Sequence, residues 1–459
     1  MLDIALLGFV AMFLAFGFKR PFLWVLAYIY IDAVAPQKIG WSVIHLIPLS
    51  LIAFIAAFGG WAVLDRKQGS RFTLRQALIA VLLAYCAYTT TVADFPVEAL
   101  AKWEWVWKAL LFAIFLPLTL RTRLRLEATA LIMVLAIGTI VINGGVKTVL
   151  GGGGYGELAL LVQENSGLYE GSILSTVAVA SIPLALWLAR HGTIFRPDWR
   201  VWTFVGGLIF ACLLIPIGTA ARTGLVCAAF LAVLMLRSAK RRFLYAGLGA
   251  FALVLAMPFL PQSFLARMGT ITEHSDDESA STRVAVWAWT LNYVKDHPFG
   301  GGFDAYRSNS FTYRMPKVTG TPPNVQVTYE TVTDKGRAYH SSYFEMLGEQ
   351  GWPGLALWLV LQLLGVWQME RIRWRFRRSV EGTASWQWGL ATALQQAQLT
   401  YLLGAAFVGI AYQPYIFMLI GLQCGLWSYV KRTAREAPKA RFKRPGSAEA
   451  LRKAGAAPA

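Results

Sequence analysis

Residues 338–354 read AYHSSYFEMLGEQGWPG, and in this stretch the long polar segment of the chain gives way to an apolar one. The polar side is residues 261–340. The apolar side continues over 352–370, a length that crosses the roughly 30 Å hydrocarbon core of a bilayer. His340 stands between the two, so we predict a histidine at a membrane–water boundary, where an imidazole can take up or release a proton near neutral pH.

The composition is that of a helical membrane protein. Of the 459 residues, 56% are hydrophobic and 15% are charged, whereas a soluble chain has about 25% charged residues. Apolar runs recur from end to end, and they predict an all-α polytopic membrane protein, a bundle of about 12–13 transmembrane helices with one long outer loop containing amphipathic helices. The predicted spans are 2–17, 21–35, 42–64, 76–93, 103–120, 127–147, 168–189, 201–219, 223–237, 243–260, 352–370, 388–410 and 414–430.

The formal net charge of +18 also has a membrane explanation. On a soluble protein it would indicate nucleic-acid binding, but here the Lys and Arg residues concentrate in every other short connection between apolar runs. The positive-inside rule places these connections, which include Arg71 and Arg75, in the cytoplasm. The partner that this charge predicts is therefore the lipid bilayer and no nucleic acid. The loop 261–340 then lies outside, where its own cations suit an anionic ligand such as a diphosphate.

This alternation divides the chain into four parts. We expect an N-terminal transmembrane bundle of about ten spans at 1–260, a large outer loop at 261–342, C-terminal transmembrane helices at 343–432 and a disordered basic cytoplasmic tail at 433–459.

Two elements are predicted inside the outer loop. Residues 281–296 form an amphipathic helix whose apolar stripe is Val284, Trp287, Leu291 and Val294. This stripe lies along the membrane interface or packs on the bundle. Residues 316–337 are rich in Thr, Val, Pro and Gly, which is typical of a mobile flap or a hairpin.

Two arginines on the outer side are candidate anion ligands. Arg222 lies in a short bend between apolar runs, where a guanidinium is costly; it either snorkels to the headgroups or clamps a phosphate with its planar fork. Arg283 lies in the predicted first turn of the loop helix, where a cation opposes the helix dipole. It either pairs with Asp276, Asp277 or Glu278, or joins the free N–H groups of the helix in holding an anion.

His340 opens the predicted helix that follows the loop. A lone histidine is usually structural, but a helix N-terminus keeps an imidazole neutral, and a neutral ring can act as a base. Lys102, Arg337 and Tyr339 complete the set as candidate substrate contacts. The five histidines and the scattered acids suggest no metal site.

Three stretches together resemble the O-antigen ligase/polymerase superfamily of bacterial membrane glycosyltransferases. They are TAARTGLV at 219–226, STRVAVWAWTLNYVKDHPFGGGFDAY at 281–306 and AYHSSYFEMLGEQGWPGLALW at 338–358. In that family an arginine follows the bend, another opens the loop helix, a HPxxGxG turn comes next and a histidine heads the following helix. The matching positions are Arg222, Arg283, 297–302 and His340. Residues 18–55 further resemble the O-glycosylation ligases associated with exosortase systems.

The resemblance implies an inverting, metal-independent transfer of a glycan from an undecaprenyl-diphosphate-linked donor to an acceptor hydroxyl. The reaction would need no cofactor and would take place at the periplasmic face of a bacterial inner membrane. His340 would be the general base, and Arg222 and Arg283 would bind the diphosphate.

The acceptor stays open at this point. A ligase acting on a glycolipid or a protein and a polymerase acting on a second lipid-linked glycan share these motifs, and the N-terminal resemblance favours a ligase. A transporter of lipid-linked glycans is the alternative from another class. It would show internal pseudo-symmetry and ionisable groups near mid-membrane.

Overall fold

The computed structural model is built of helices, with one β-hairpin in the outer loop. The structure describes residues 2–39, 44–67, 69, 71–150, 167–237, 241–256, 278–319, 326–379 and 381–436. Over these residues the helices are α1 (Leu2–Lys19), α2 (Phe22–Val34), α3 (Pro36–Ile39), α4 (Leu49–Val63), α5 (Leu74–Thr91), α6 (Pro96–Thr119), α7 (Arg123–Leu150), α8 (Gly171–His191), α9 (Trp199–Gly218), α10 (Arg222–Leu236), α11 (Arg242–Ala256), α12 (Glu278–Asp296), α13 (Ser342–Arg377), α14 (Trp386–Ala405) and α15 (Pro414–Glu436). The strands are β1 (Ser310–Thr319) and β2 (Gln326–Lys335).

Each of the thirteen predicted apolar segments coincides with one of these helices. Five helical stretches are long and apolar enough to cross a membrane by length and composition: α2 continued through α3, α7, α8, α9 and α13. Shorter apolar helices lie in α1, α4 and α10. Large apolar side chains such as Phe210, Phe243 and Phe251 are exposed, as expected of a surface that faces lipid. The chain is therefore an all-α polytopic membrane protein, as predicted.

Several helices begin at side chains that cap them. Thr73 starts α5 with a capping box, because its hydroxyl accepts the amide of Gln76 while the Gln76 side chain accepts the amide of Thr73. Glu170 accepts the amide of Ile173 at the start of α8, and Ser385 accepts that of Trp388 at the start of α14. These caps fix where the chain enters the bundle.

One residue that we assigned to a cytoplasmic connection lies inside the bundle instead. Arg75 is in the first turn of α5, because the helix begins directly after Thr73, and it is 0% exposed. Its Nη2 donates to Gln423 Oε1 at 2.9 Å. Gln423 in turn donates to Gln398, and Gln398 donates to Gln362. A polar network of glutamines therefore crosses α13, α14 and α15 around a buried arginine, and the assignment of Arg75 to the loop was wrong.

The outer loop contains the helix and the hairpin, with three corrections. Helix α12 starts at Glu278, three residues earlier than predicted. Its inward face matches the predicted stripe in part. Val294 is buried and Trp287 packs on Phe344, but Val284 and Leu291 are exposed. Val286 and Thr290 are buried instead. The sequence predicted more than one amphipathic helix in the loop. Among the described residues of the loop, α12 is the one that is present.

The segment predicted as a flap or hairpin is an antiparallel hairpin, in which Ser310 pairs with Lys335 and Thr319 with Gln326. The predicted disordered tail begins within α15, which ends at Glu436. The remainder of that tail lies outside the described residues.

Candidate active site

The loop helix α12 docks on the segment that carries His340. Trp287 Nε1 donates to the carbonyl of Tyr339 at 2.9 Å, and its ring stacks on Phe344 with centroids 4.9 Å apart. Arg283 lies one helical turn before Trp287 and so is carried on the same side of α12. Trp287 thus fixes the position of Arg283 relative to the first turn of α13.

We predicted that His340 opens the helix after the loop. It lies instead two residues before Ser342, the first residue of α13. The His340 backbone has φ 48°, and Ser341 with an extended backbone is the N-cap residue of α13. A non-glycine residue in the left-handed region carries strain of about 1 kcal/mol or more and is held there by its surroundings. The side chain is exposed. The structure therefore presents the imidazole to solvent instead of building it into the helix.

The pKa of His340 is lowered from its ordinary value by partial burial and then by the positive charges of Arg283 and Arg337. The imidazole is therefore neutral at neutral pH, the state that the sequence analysis anticipated. The causes given by the structure are burial first and the nearby guanidinium groups second, whereas the sequence argument had invoked the helix N-terminus. The same interaction shows that Arg283 and Arg337 lie within electrostatic reach of His340.

Arg337 is held in place by its neighbours on the loop. Its amide donates to Asn309 Oδ1 at 3.0 Å, and Asn309 Nδ2 donates back to its carbonyl at 2.7 Å. Its guanidinium pairs with Asp334 at 2.8 Å and is partly exposed. Arg337 therefore contributes positive charge near His340 with one of its nitrogens already bonded to a carboxylate.

Arg283 departs from one part of the prediction. Because α12 begins at Glu278, Arg283 lies in the second turn and not among the residues whose N–H groups are free. Its side chain is half-buried. The proposed pairing partners Asp276 and Asp277 lie outside the described residues.

Arg222 is the first residue of α10 and is half-buried, after Ala220, whose φ is 48°. Its position follows from contacts of α10 and α13 with the same helix. Cys227 lies 3.6 Å from the carbonyl of Thr400, and Tyr343 donates to the carbonyl of Leu402 at 3.1 Å. Both α10 and α13 begin beside the C-terminal end of α14 and run antiparallel to it. Arg222, five residues before Cys227, therefore lies at the same end of α14 as the segment of His340.

Two further candidates face the protein interior. Tyr339 is 3% exposed, its ring packs edge-on against Tyr306, and it fills the space beside Gly348. The structure therefore does not bring the Tyr339 ring to the exposed side, where His340 lies.

Lys102 is also held away from an anionic ligand. Its Nζ lies 2.8 Å from Glu345 Oε1, 2.8 Å from Glu349 Oε1 and 3.8 Å from Asp304 Oδ1. The side chain is 13% exposed. Three acids surround one ammonium, so the group has no net positive charge with which to attract a phosphate. Lys102 thus differs from Arg283 and Arg337, because its charge is already taken up by three acids.

These three acids were not predicted as partners of Lys102. Glu345 and Glu349 are four residues apart, so they lie on one face of α13. Two acids at helical spacing beside an apolar segment were the signal that could have identified them. Asp304 follows the glycine-rich turn and gave no comparable signal.

The glycine turn after α12 and the break in α13 bind each other. Gly351 has φ 64° and ψ −167°, which interrupts α13. Three backbone hydrogen bonds join the two segments: Trp352 N to Pro298 O, Gly301 N to Gly348 O and Gly302 N to Glu349 O, each 3.0 Å long. An added methyl group at Gly351 would overlap the carbonyl of Pro298. The HPFGGG turn and the EQGWPG segment are therefore structural partners.

The fold defines a class, the polytopic helical membrane proteins, and comparison with known families narrows it. Residues 207–359, about a third of the chain, match a family described as O-Antigen ligase. Residues 1–193 match a family of unknown function, DUF5935. Among curated proteins, none matches the chain significantly. The first match supports a place in the O-antigen ligase/polymerase superfamily and indicates a membrane glycosyltransferase-type enzyme that acts on a lipid-linked glycan.

The O-antigen ligase match covers the residues of the candidate site on both sides of the loop. Arg222, Arg283, Arg337 and His340 all fall within it, whereas Lys102 falls within the DUF5935 match.

Proposed function

We propose that the chain transfers a glycan, with inversion and without a metal ion, from undecaprenyl diphosphate to an acceptor hydroxyl at the periplasmic face of a bacterial inner membrane. The observation that carries this proposal is the exposed His340 whose pKa is lowered by partial burial and by the charges of Arg283 and Arg337, all three residues lying inside the O-antigen ligase match. A neutral imidazole beside guanidinium groups combines a base with anion ligands, which this transfer needs.

In the proposed step the acceptor oxygen attacks the anomeric carbon while an imidazole nitrogen of His340 takes the hydroxyl proton. The bond between the anomeric carbon and the diphosphate oxygen breaks on the opposite face. The diphosphate leaves on its lipid with the bonding electrons. Attack from the opposite face inverts the anomeric configuration.

Arg222 and Arg283 are proposed to bind the diphosphate and to stabilise the charge that develops on it. A guanidinium can donate two parallel hydrogen bonds to phosphate oxygens and keeps its charge at any working pH. Donors already aimed at a developing charge lower the barrier without reorganisation. Arg337 adds positive potential at the same place, and Lys102 takes no part in binding the anion because carboxylates surround it.

The acceptor favoured by this proposal is a glycolipid or protein hydroxyl, as in a ligase. This preference rests on the resemblance of residues 18–55 and not on the geometry of the site. A polymerase would use a second lipid-linked glycan with the same chemistry.

Purified protein incubated with a lipid-linked glycan in detergent tests the proposal. We expect release of undecaprenyl diphosphate and an acceptor carrying the glycan. A transporter releases no lipid diphosphate. In a deletion strain, mass spectrometry separates the two enzymes: full-length glycan left on its carrier indicates a ligase, and single repeat units indicate a polymerase.

A further inference from the structure

The buried group around Lys102 joins three parts of the chain that are far apart in sequence. Lys102 comes from the first turns of α6, Glu345 and Glu349 from α13, and Asp304 from the segment after α12. We call these four residues the Lys102 cluster. The side chain of Glu349 is 0% exposed.

Each carboxylate of α13 in the cluster also holds a backbone segment. Glu349 Oε1 accepts the amide of Asp304 at 3.0 Å, which ties the glycine turn to α13. Glu345 Oε2 accepts the amide of Ala411 at 3.0 Å, which ties the connection between α14 and α15 to the first turn of α13. The same connection is bonded by Ser342, which accepts the amide of Ile410 and donates to the carbonyl of Val408.

Lys102 makes this arrangement electrostatically acceptable. Glu345 and Glu349 both lie 2.8 Å from the same ammonium, and without it two adjacent buried carboxylates would repel each other in a medium of low polarity. The ammonium also lies 5.0 Å from the ring of Tyr412 and 5.7 Å from that of Phe303, which shield it from water. Loss of Lys102 would thus push the two acids, and the segments that they hold, apart.

The cluster acts on the candidate site through α12. Near its middle α12 is fixed to α13 by Trp287, and beyond its C-terminal end it is fixed by the turn that Glu349 and Lys102 hold. Arg283 and His340 lie on the two elements that are joined in this way. Their separation therefore depends on both attachments.

We propose that Lys102 is a positioning residue: by neutralising Glu345 and Glu349 it holds the glycine turn against α13 and sets the distance between Arg283 and His340. The kinetic part of this inference rests on the proposed glycan transfer. The structural part, the order of residues 297–308, does not.

The test compares Lys102→Met with the double variant Lys102→Met/Glu349→Gln. Lys102→Met leaves three carboxylates without the ammonium. The double variant leaves two carboxylates, which restores the wild-type formal charge of two negative, and the amide oxygen that replaces the carboxylate of Glu349 can still accept the amide of Asp304. Lys295→Met, which removes an exposed cation from α12, is the matched control.

Two readouts are measured on the full chain in detergent. Amide hydrogen exchange of a peptide covering 297–308 is expected to be faster in Lys102→Met and to return toward the wild-type rate in the double variant. In glycan transfer, Lys102→Met is expected to lower kcat by about 10²-fold, the loss that a displacement of about 1 Å produces. The double variant should recover at least about tenfold of it, with KM for the donor unchanged within about threefold.

The outcomes separate the alternatives. If Lys102 contacts phosphate, the double variant stays as inactive as Lys102→Met and KM rises in both, which overturns the positioning role. Wild-type hydrogen exchange in Lys102→Met overturns it as well. If Lys102→Met does not fold, Glu349→Gln and the double variant are compared instead, and a loss of kcat between them greater than about 10²-fold contradicts the proposal. Failure of the wild type to transfer glycan contradicts the proposed function and leaves the exchange result to decide the structural role.

Discussion

Two charged groups lie near the start of α13, and they have opposite sign and opposite exposure. His340 is exposed and lies within electrostatic reach of Arg283 and Arg337, whereas Lys102 is 13% exposed and is surrounded by three carboxylates. A positive, accessible group can bind an anion that arrives from outside. A buried group whose cation already has its counter-ions organises the protein itself. Exposure and pairing, not the presence of a cation, therefore distinguish the candidate binding residues from the structural ones.

The largest effect is expected when the proposed general base, His340, is removed. His340→Ala should reduce glycan transfer by about 10²- to 10⁴-fold, the usual contribution of a general base. His340 is exposed and precedes α13, so the thermal transition should stay close to that of the wild type. His191→Ala is the control. His191 is the last residue of α8, and its removal should leave glycan transfer unchanged. Transfer at the wild-type rate by His340→Ala would remove the base assignment.

Lysine substitutions of the three arginines should differ in the loss of kcat/KM that they cause. Arg222→Lys and Arg283→Lys should each lower kcat/KM by about 10²-fold, because an ammonium cannot reproduce the two-pronged contact with a diphosphate. Arg337→Lys should lower it by no more than about fivefold, because this guanidinium is partly exposed and already paired with Asp334. Initial rates at several donor concentrations give kcat/KM for each variant. Equal losses in all three variants would contradict the ranking.

The break in α13 at Gly351 binds the glycine turn that leads from α12 to Asp304. Its contribution can be tested by measuring protein stability. Gly351→Ala should destabilise the protein by about 2 kcal/mol or more, because φ 64° is strained for alanine and its methyl group would meet the carbonyl of Pro298. Gly207→Ala, in α9 with nothing near its Cα hydrogens, should be neutral or stabilising by up to about 1 kcal/mol. Thermal unfolding in detergent measures both, and similar values for the two variants would show that the break is not required.

The smallest expected effect is a shift in the pH profile. The lowered pKa of His340 means that kcat/KM should fall only below the ordinary histidine value of about 6.5, as the ring becomes protonated and can no longer act as a base. Arg337→Met removes a positive neighbour, so the pKa should rise and the acid limb of the profile should move to higher pH. Lys295→Met is the control. An acid limb that does not move with Arg337→Met would show that the charge at 337 does not act on the imidazole.

The helices could be predicted because their signal is local. Long apolar runs predicted thirteen segments, each of which overlaps a helix. The break in α13 at Gly351 was not predicted. Arg75 shows where this reasoning failed: a basic residue near a helix start counts as cytoplasmic unless the position of the cap is known, and the Thr73 cap turns Arg75 into the bundle.

The site was only partly readable from sequence. Arg283 and His340 could be chosen as candidates because each is unusual in its local setting, and the structure places them within electrostatic reach of each other. The role of Lys102 was not readable, because its three carboxylate partners come from two segments more than two hundred residues away in sequence. The buried face of α12 was partly misread for a related reason. Which side of an amphipathic helix faces the protein depends on what it packs against, and Thr282 and Thr290 are buried there beside valines.

A structure of the protein with bound undecaprenyl diphosphate would test the central claim most directly. We predict that diphosphate oxygens lie within about 3 Å of guanidinium nitrogens of Arg222 and Arg283, with the His340 imidazole open to the same space. A diphosphate bound away from both arginines, or packed side chains between it and His340, would contradict the account.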